Sequence, residues 1–100
     1  MSEYTISASD LKSESGSIVE DGFTLCDAVI DALSNHDRVI VSLLGMRGVT
    51  SSYFNAFFSR LADNDANQSV IDRIKPQFEN ELQQMIWSRS IKAFFNGTQN

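Results

Sequence analysis

One hundred residues, 42% apolar and 21% charged, describe one globular domain rather than a disordered chain or a pair of domains. The net charge is −5 and the eight basic residues are dispersed, so no cationic tract is present to displace counterions from a phosphate backbone; nucleic-acid binding is disfavoured. Cys26 is the sole cysteine, which excludes an internal disulfide and a cysteine-based zinc site.

The opening "MSEYTISASD" has neither the basic stretch nor the apolar core of a secretory leader, and no apolar run is long enough to span a bilayer. A cytoplasmic protein with no membrane attachment is expected. Within that opening, Tyr4 to Ala8 alternates weakly, predicting a first strand with Tyr4, Ile6 and Ala8 on one face. "SESGS" is turn material, and "SIVE" reads as a short second strand. A helix then opens at Asp21 or Thr24 and runs to about Ser34, with Cys26, Val29, Ile30 and Leu33 forming one buried stripe.

"NHD" breaks this helix. The β-branched run "RVIVSLL" that follows predicts a central strand buried on both faces. "GMRG" turns the chain, and a second helix begins at Thr50 or Ser51 and reaches about Ala62. Phe54, Phe57, Phe58 and Leu61 repeat the helical stripe along it. After the polar "DNDANQ", "SVIDRI" is read as a strand ended by Pro76. A last helix is predicted from about Gln77 to Phe95, with Phe78, Leu82, Met85 and Ile86 inward and Gly97 as its C-terminal cap. The order predicts a small α/β domain with helices covering one or both faces of a sheet.

The feature that raises a functional question is Thr50-Ser51-Ser52, at the start of the phenylalanine-backed helix. Serine or threonine oxygens there can accept hydrogen bonds from the unpaired first-turn amides, and that capping role is one reading of Thr50 and Ser51. The same amides and the helix dipole favour an anion, so a phosphate on a first-turn serine would be tolerated by the fold. It would place about −1.5 to −2 charges on a surface that had been neutral and expel a partner packed there. Spacing alone does not choose between cap and switch.

From about Gly22 to Leu61 the chain resembles the STAS-like domain family of unknown function, a relative of the sulfate-transporter and anti-sigma-factor-antagonist domains. The resemblance rests on the helix "DGFTLCDAVIDAL", the strand and turn "DRVIVSLLGMRGVTSSYF", and the apolar helix "NAFFSRL", in that order. It implies one small STAS-like domain, a mixed sheet flanked by helices, acting as a non-catalytic protein–protein interaction module in bacterial signal transduction. In the better-known relatives a serine kinase with a histidine-kinase-type ATP fold docks over this helix start and phosphorylates a serine there. By motif position Ser52 matches that acceptor and Ser51 is its neighbour, while Thr50 stands where the relatives often carry aspartate. Docking would use the turn and helix start from Gly45 to Phe54, with Gly45, Arg47, Thr50 and Tyr53 as contact candidates and no cofactor.

The remaining chemistry-bearing residues have plainer readings. His36 is a lone histidine in a loop, with no second ligand in reach along the chain. Cys26 lies on a buried stripe, without the electropositive, exposed setting a nucleophile needs. The carboxylates are scattered and frame no acid–base pair, and "GMRG" matches no phosphate-cradling loop. At the C-terminal end, Trp87, Ile91, Phe94 and Phe95 spread over more of the helix than one inner stripe uses. Either they form an outward patch for a homodimer or regulatory partner, or the chain end wraps irregularly onto the sheet. The patch supports an alternative function as a constitutive oligomeric subunit.

Overall fold

Every connection between consecutive strands passes through a helix, and that decides the sheet. In the computed structural model, which describes residues 2–46, 48–64 and 67–96, the elements are β1 (Glu3–Ser7), α1 (Ile18–Leu33), β2 (Arg38–Ser42), α2 (Ser51–Asp63), α3 (Gln68–Ile71), β3 (Ile74–Gln77) and α4 (Glu81–Ile91). The strands lie in the order β1-β2-β3, with both pairs parallel. The expected α/β domain is what folds. Its described strands are all parallel rather than mixed, because a helical crossover returns the chain to the same end of the sheet each time. Right-handed crossovers between sequential neighbours put α1 and α2 on one face. There Ile6, Val39, Val41 and Ile74 are buried beneath them, while Thr5 and Lys75 on the other face are exposed.

The predicted second strand "SIVE" is instead the first turn of α1. Ser17 caps it, its Oγ accepting from the Glu20 amide at 3.3 Å. Ser17-x-x-Glu20 is a capping-box spacing, and that signal outweighs the β-branched pair Ile18-Val19. The Glu20 carboxylate turns to the Ser15 hydroxyl at 2.6 Å. Farther along α1 the buried side is Gly22, Leu25, Cys26, Val29 and Ala32, with Ile30 and Leu33 partly covered at its margin. The predicted stripe of α2 holds: Phe54, Phe57, Phe58 and Leu61 are fully buried.

"SVIDRI" is not a strand. Asn67 Oδ1 accepts from the amides of Ser69 and Val70, and this cap opens the short α3. Strand β3 follows it and includes Pro76, which lacks the N–H of a ladder residue and is tolerated because β3 lies at the edge of the sheet. Arg73, between the two, closes the C-terminal end of α1. Its guanidinium donates to the carbonyls of Leu33 and His36, both at 2.8 Å, and of Asp37 at 2.9 Å. Terminal carbonyls of a helix have no partner of their own, and a cation satisfies both their hydrogen bonding and the helix dipole. Arg73→Ala is expected to lower the unfolding free energy by about 1.5 kcal/mol, read as a shifted urea midpoint at unchanged slope.

The last helix departs most from expectation. It opens at Glu81, where Asn80 Oδ1 accepts from the Gln83 amide at 2.9 Å, because Gln77 is still held in the sheet by the Leu43 amide. The buried side is Gln83, Trp87 and Ser90, while the predicted inner residues Leu82 and Met85 are 60% and 49% exposed. Two contacts set this rotation. Gln83 Nε2 donates to the Leu43 carbonyl at the end of β2, and Trp87 enters a cluster of phenylalanines. Ser90 donates to Asn55 of α2 at 2.6 Å, tying the far end of the same face. The chain continues in a wider helical turn, Lys92–Asn96. The predicted cap Gly97 lies outside the described residues. Among the described residues no helix is long and apolar enough to cross a membrane.

Candidate functional site

The segment after β2 is shaped by two backbone positions that only glycine takes easily. Leu43 is fully buried and Leu44 exposed, so the chain leaves the sheet between them. Gly45 (φ 81°) and Gly48 (φ 65°) then take the left-handed region that a Cβ disfavours, which brings the chain back toward the helices. The Gly45 amide donates to the Glu79 carboxylate at 2.5 Å, anchoring the turn to the approach of α4. Gly45 is exposed, as a contact candidate must be. Arg47, the other candidate in this turn, lies outside the described residues.

Thr50 is the N-cap residue of α2 by position, yet its side chain makes no capping hydrogen bond. Its Oγ1 is buried without a partner. Its carbonyl accepts from the Tyr53 amide at 3.2 Å. The capping role expected of the threonine hydroxyl is therefore not performed, and α2 has no acidic side chain in its first turn. Ser51 and Ser52 occupy that turn with both side chains exposed. The helix thus begins with first-turn amides that the Thr50 side chain leaves uncapped, beside two exposed serines.

Tyr53 corrects the expected contact set. It is 4% exposed, its ring lies tilted against Phe54 at 5.5 Å between centroids, and its hydroxyl is buried with no partner. Helical periodicity puts residue 53 on the core side one step after two exposed positions, so it supports the helix start from beneath. Burial, and secondarily the negative charge of Asp21, raises its hydroxyl pKa above the ordinary tyrosine range. Burial likewise pushes the Cys26 thiol from 9.0 up to about 12, with Asp27 adding to the shift and Arg60 opposing it. Both groups favour their neutral forms in the folded state, so their contribution to stability is full below pH 9.0 and is lost as pH rises and these groups ionise in the unfolded chain. Urea midpoints are expected to drop between about pH 9 and pH 11, with Tyr53→Phe and Cys26→Ala each flattening the decline.

The proposed oligomer surface does not assemble. Trp87 is buried against Phe54, Phe57, Phe58 and Phe78, and Ile91 and Phe95 are partly buried on the same core. Of the four residues only Phe94 is exposed, so the outward patch loses its anchor. Nor is the wrap onto the sheet what forms, because the described chain end continues α4 as the Lys92–Asn96 turn and packs on α2, with Phe95 against Phe58 at 6.1 Å. The large area of an indole ring favours the aromatic interior over solvent. His36 stacks on Tyr4 at 5.0 Å and shares a 2.7 Å hydrogen bond with the Ser2 hydroxyl, an environment that fixes the β1 end of the sheet. Arg60 of α2 pairs with Asp27 of α1 at 2.7 Å and lies over the Phe23 ring, clasping the two helices at their exposed margin.

What the sequence reading missed around the site is its support. Gly22 of α1 faces the Tyr53 carbonyl, Ala56 and Phe57, so the start of α2 rests on a side-chain-free point of α1. Gln83 reaches across from α4 to Leu43. The glycine inside a helical pattern was the available signal for the first contact; none existed for the second. Residues 21–84 match the family described as a STAS-like domain of unknown function. No curated protein and no solved structure matches the chain.

Proposed function

The chain belongs to the family of STAS-like domains of unknown function, and from that membership we propose that it is a non-catalytic protein–protein interaction module of a bacterial signalling pathway, docking through the turn and helix start at residues 45–54. The observation that carries the reading is the pair of exposed hydroxyls, Ser51 and Ser52, on a helix start whose N-cap residue, Thr50, makes no side-chain capping bond. A partner loop or carboxylate can occupy those first-turn amides, and the exposed Gly45 lies in the turn that leads to them.

Control is by phosphorylation of Ser52, with Ser51 as the neighbouring acceptor, by a cytoplasmic serine kinase of the histidine-kinase ATP fold. The serine Oγ takes the γ-phosphoryl group of ATP, the bond to the ADP leaving group breaks, and the kinase accepts the hydroxyl proton. The dianion sits favourably at the dipole's positive end, so the domain stays folded while the docking surface becomes strongly negative. No cofactor is required.

Incubation with ATP and candidate kinases of this fold, read by intact mass, is expected to add one phosphate that Ser52→Ala abolishes. Ser52→Asp is expected to leave the melting temperature within a few degrees, roughly the scale of an exposed substitution, and to abolish partner capture. An unchanged mass with every kinase, or a phosphate placed outside residues 50–53, overturns the switch.

A further inference from the structure

The two edges of the sheet are not alike, and the difference follows from the phase of the hydrogen-bond ladder. The Arg38 amide donates to the Ser2 carbonyl at 3.1 Å, whereas those of Val39 and Leu43 donate to Arg73 and Gln77 at 2.9 Å. In a parallel sheet successive residues of a central strand point their backbone groups to alternate neighbours. Even-numbered residues of β2 therefore serve β1 and odd-numbered ones serve β3. With Tyr4 opposite Val39 and Val39 opposite Ile74, the inward-bonding residues are Tyr4 and Ile6 on β1 and Lys75 and Gln77 on β3. Ile74 and Pro76 then face outward on β3. Proline has no N–H to offer there, so that edge is closed to a further strand.

On β1 the outward groups belong to Glu3, Thr5 and Ser7, and no proline interrupts them. Beside this edge runs a cleft of about 580 Å³ between β1 and α1, walled by Tyr4, Ile6, Ala28, Asp31, Ala32 and Asn35. Ala28 and Ala32 are one helical turn apart, and their small side chains leave the space open. Asp10 and Asp31 also line the cleft, and no lysine or arginine does so among the described residues.

We infer that the β1 edge and the cleft beneath it form a docking groove for an extended peptide segment bearing lysine or arginine, which joins the sheet as a fourth strand. Main-chain hydrogen bonds to Glu3, Thr5 and Ser7 supply the affinity, and alternate peptide side chains drop toward Ala28 and Ala32. The two carboxylates select for cationic side chains. A second copy of this chain is a poorer occupant, because it brings its own net charge of −5 to an acidic groove. The groove shares no lining residue with the Ser51–Ser52 helix start, so this inference stands apart from the phosphorylation proposal.

The test is selection of a displayed random peptide library against the folded chain, followed by titration of the most enriched synthetic peptide into ¹⁵N-labelled protein. The expected result is lysine- or arginine-bearing sequences, amide shifts at Thr5, Ser7, Ala28 and Ala32, and slowed exchange of the Thr5 and Ser7 amides. Thr5→Pro removes an outward N–H and Ala28→Leu fills the cleft; each is expected to weaken binding roughly tenfold. Ala28→Leu carries the test if Thr5→Pro does not fold. Absence of enrichment, acidic consensus sequences, shifts confined to other surfaces, or wild-type affinity in Ala28→Leu overturns the inference. So does a dimer in sedimentation that Thr5→Pro converts to monomer, which would assign the groove to a second copy.

Discussion

Trp87→Ala is expected to lower the unfolding free energy by about 3–5 kcal/mol, the largest loss of any single substitution considered for this chain. The indole is 6% exposed and meets the rings of Phe54 at 5.5 Å, Phe57 at 5.8 Å, Phe58 at 4.8 Å and Phe78 at 6.0 Å. Three of these lie on α2, so the indole is the principal apolar link between α4 and the rest of the domain. Truncation removes both the transfer free energy of the ring and the edge-to-face contacts, and leaves a cavity that four rigid neighbours cannot collapse into. Against a total of about 5–15 kcal/mol for a domain of this size, the loss moves the melting temperature down by roughly 15–25 °C. Leu82→Ala, on the exposed side of the same helix, is expected to change stability by less than about 0.5 kcal/mol. The pair of urea titrations therefore measures which face of α4 is inside. Equal losses for the two variants would contradict the rotation of α4 described above.

Gly22→Val is expected to cost about 3 kcal/mol, and Gly22→Ala less, about 1–2 kcal/mol. A Cβ built at Gly22 stands 2.5 Å from the Tyr53 carbonyl oxygen and 2.9 Å from the Ala56 Cβ. The nearest atom is helix backbone, which cannot swing aside as a flexible side chain would, so α1 and α2 must separate. Alanine elsewhere in a helix is favoured over glycine by about 1 kcal/mol, so a net loss in Gly22→Ala isolates the steric effect from the propensity gain. Separation also displaces the first turn of α2, where Ser51 and Ser52 lie. Both variants are expected to show amide shifts at Ser51 and Ser52 in addition to a lower urea midpoint. A Gly22→Ala variant more stable than the parent would show that the two helices are less closely packed than described.

The predictive value of the sequence varied element by element for identifiable reasons. Phe54, Phe57, Phe58 and Leu61 fall at i, i+3, i+4 and i+7 among polar neighbours, a pattern with one solution, and α2 is as read. β2 was legible because Val39, Ile40 and Val41 are β-branched and flanked by a helix break and a glycine turn. α4 was not, since "ELQQMIWSRSI" offers apolar residues on several sides and only a partner surface can select one. For "SIVE" and "SVIDRI" local capping chemistry competed with β propensity; Ser17 and Asn67 won by accepting first-turn amide hydrogen bonds. At the helix start, the exposure of Ser51 and Ser52 followed from periodicity, whereas the burial of Tyr53 one residue later was read as contact surface.

Periodicity and punctuation in the chain were thus enough to establish an α/β domain, its central strand and the helix with the paired serines at its start, while kinship with the STAS-like family rested on resemblance and on the match over residues 21–84. These are local properties, encoded by residues within a few positions of one another. The all-parallel pairing, the side of α4 that turns inward, the unpartnered Thr50 and Tyr53 hydroxyls, and the contrast between an open β1 edge and a proline-closed β3 edge came only with the folded chain. Each depends on residues tens of positions apart meeting in space, where packing and ladder phase choose among alternatives that the local pattern leaves equal in energy.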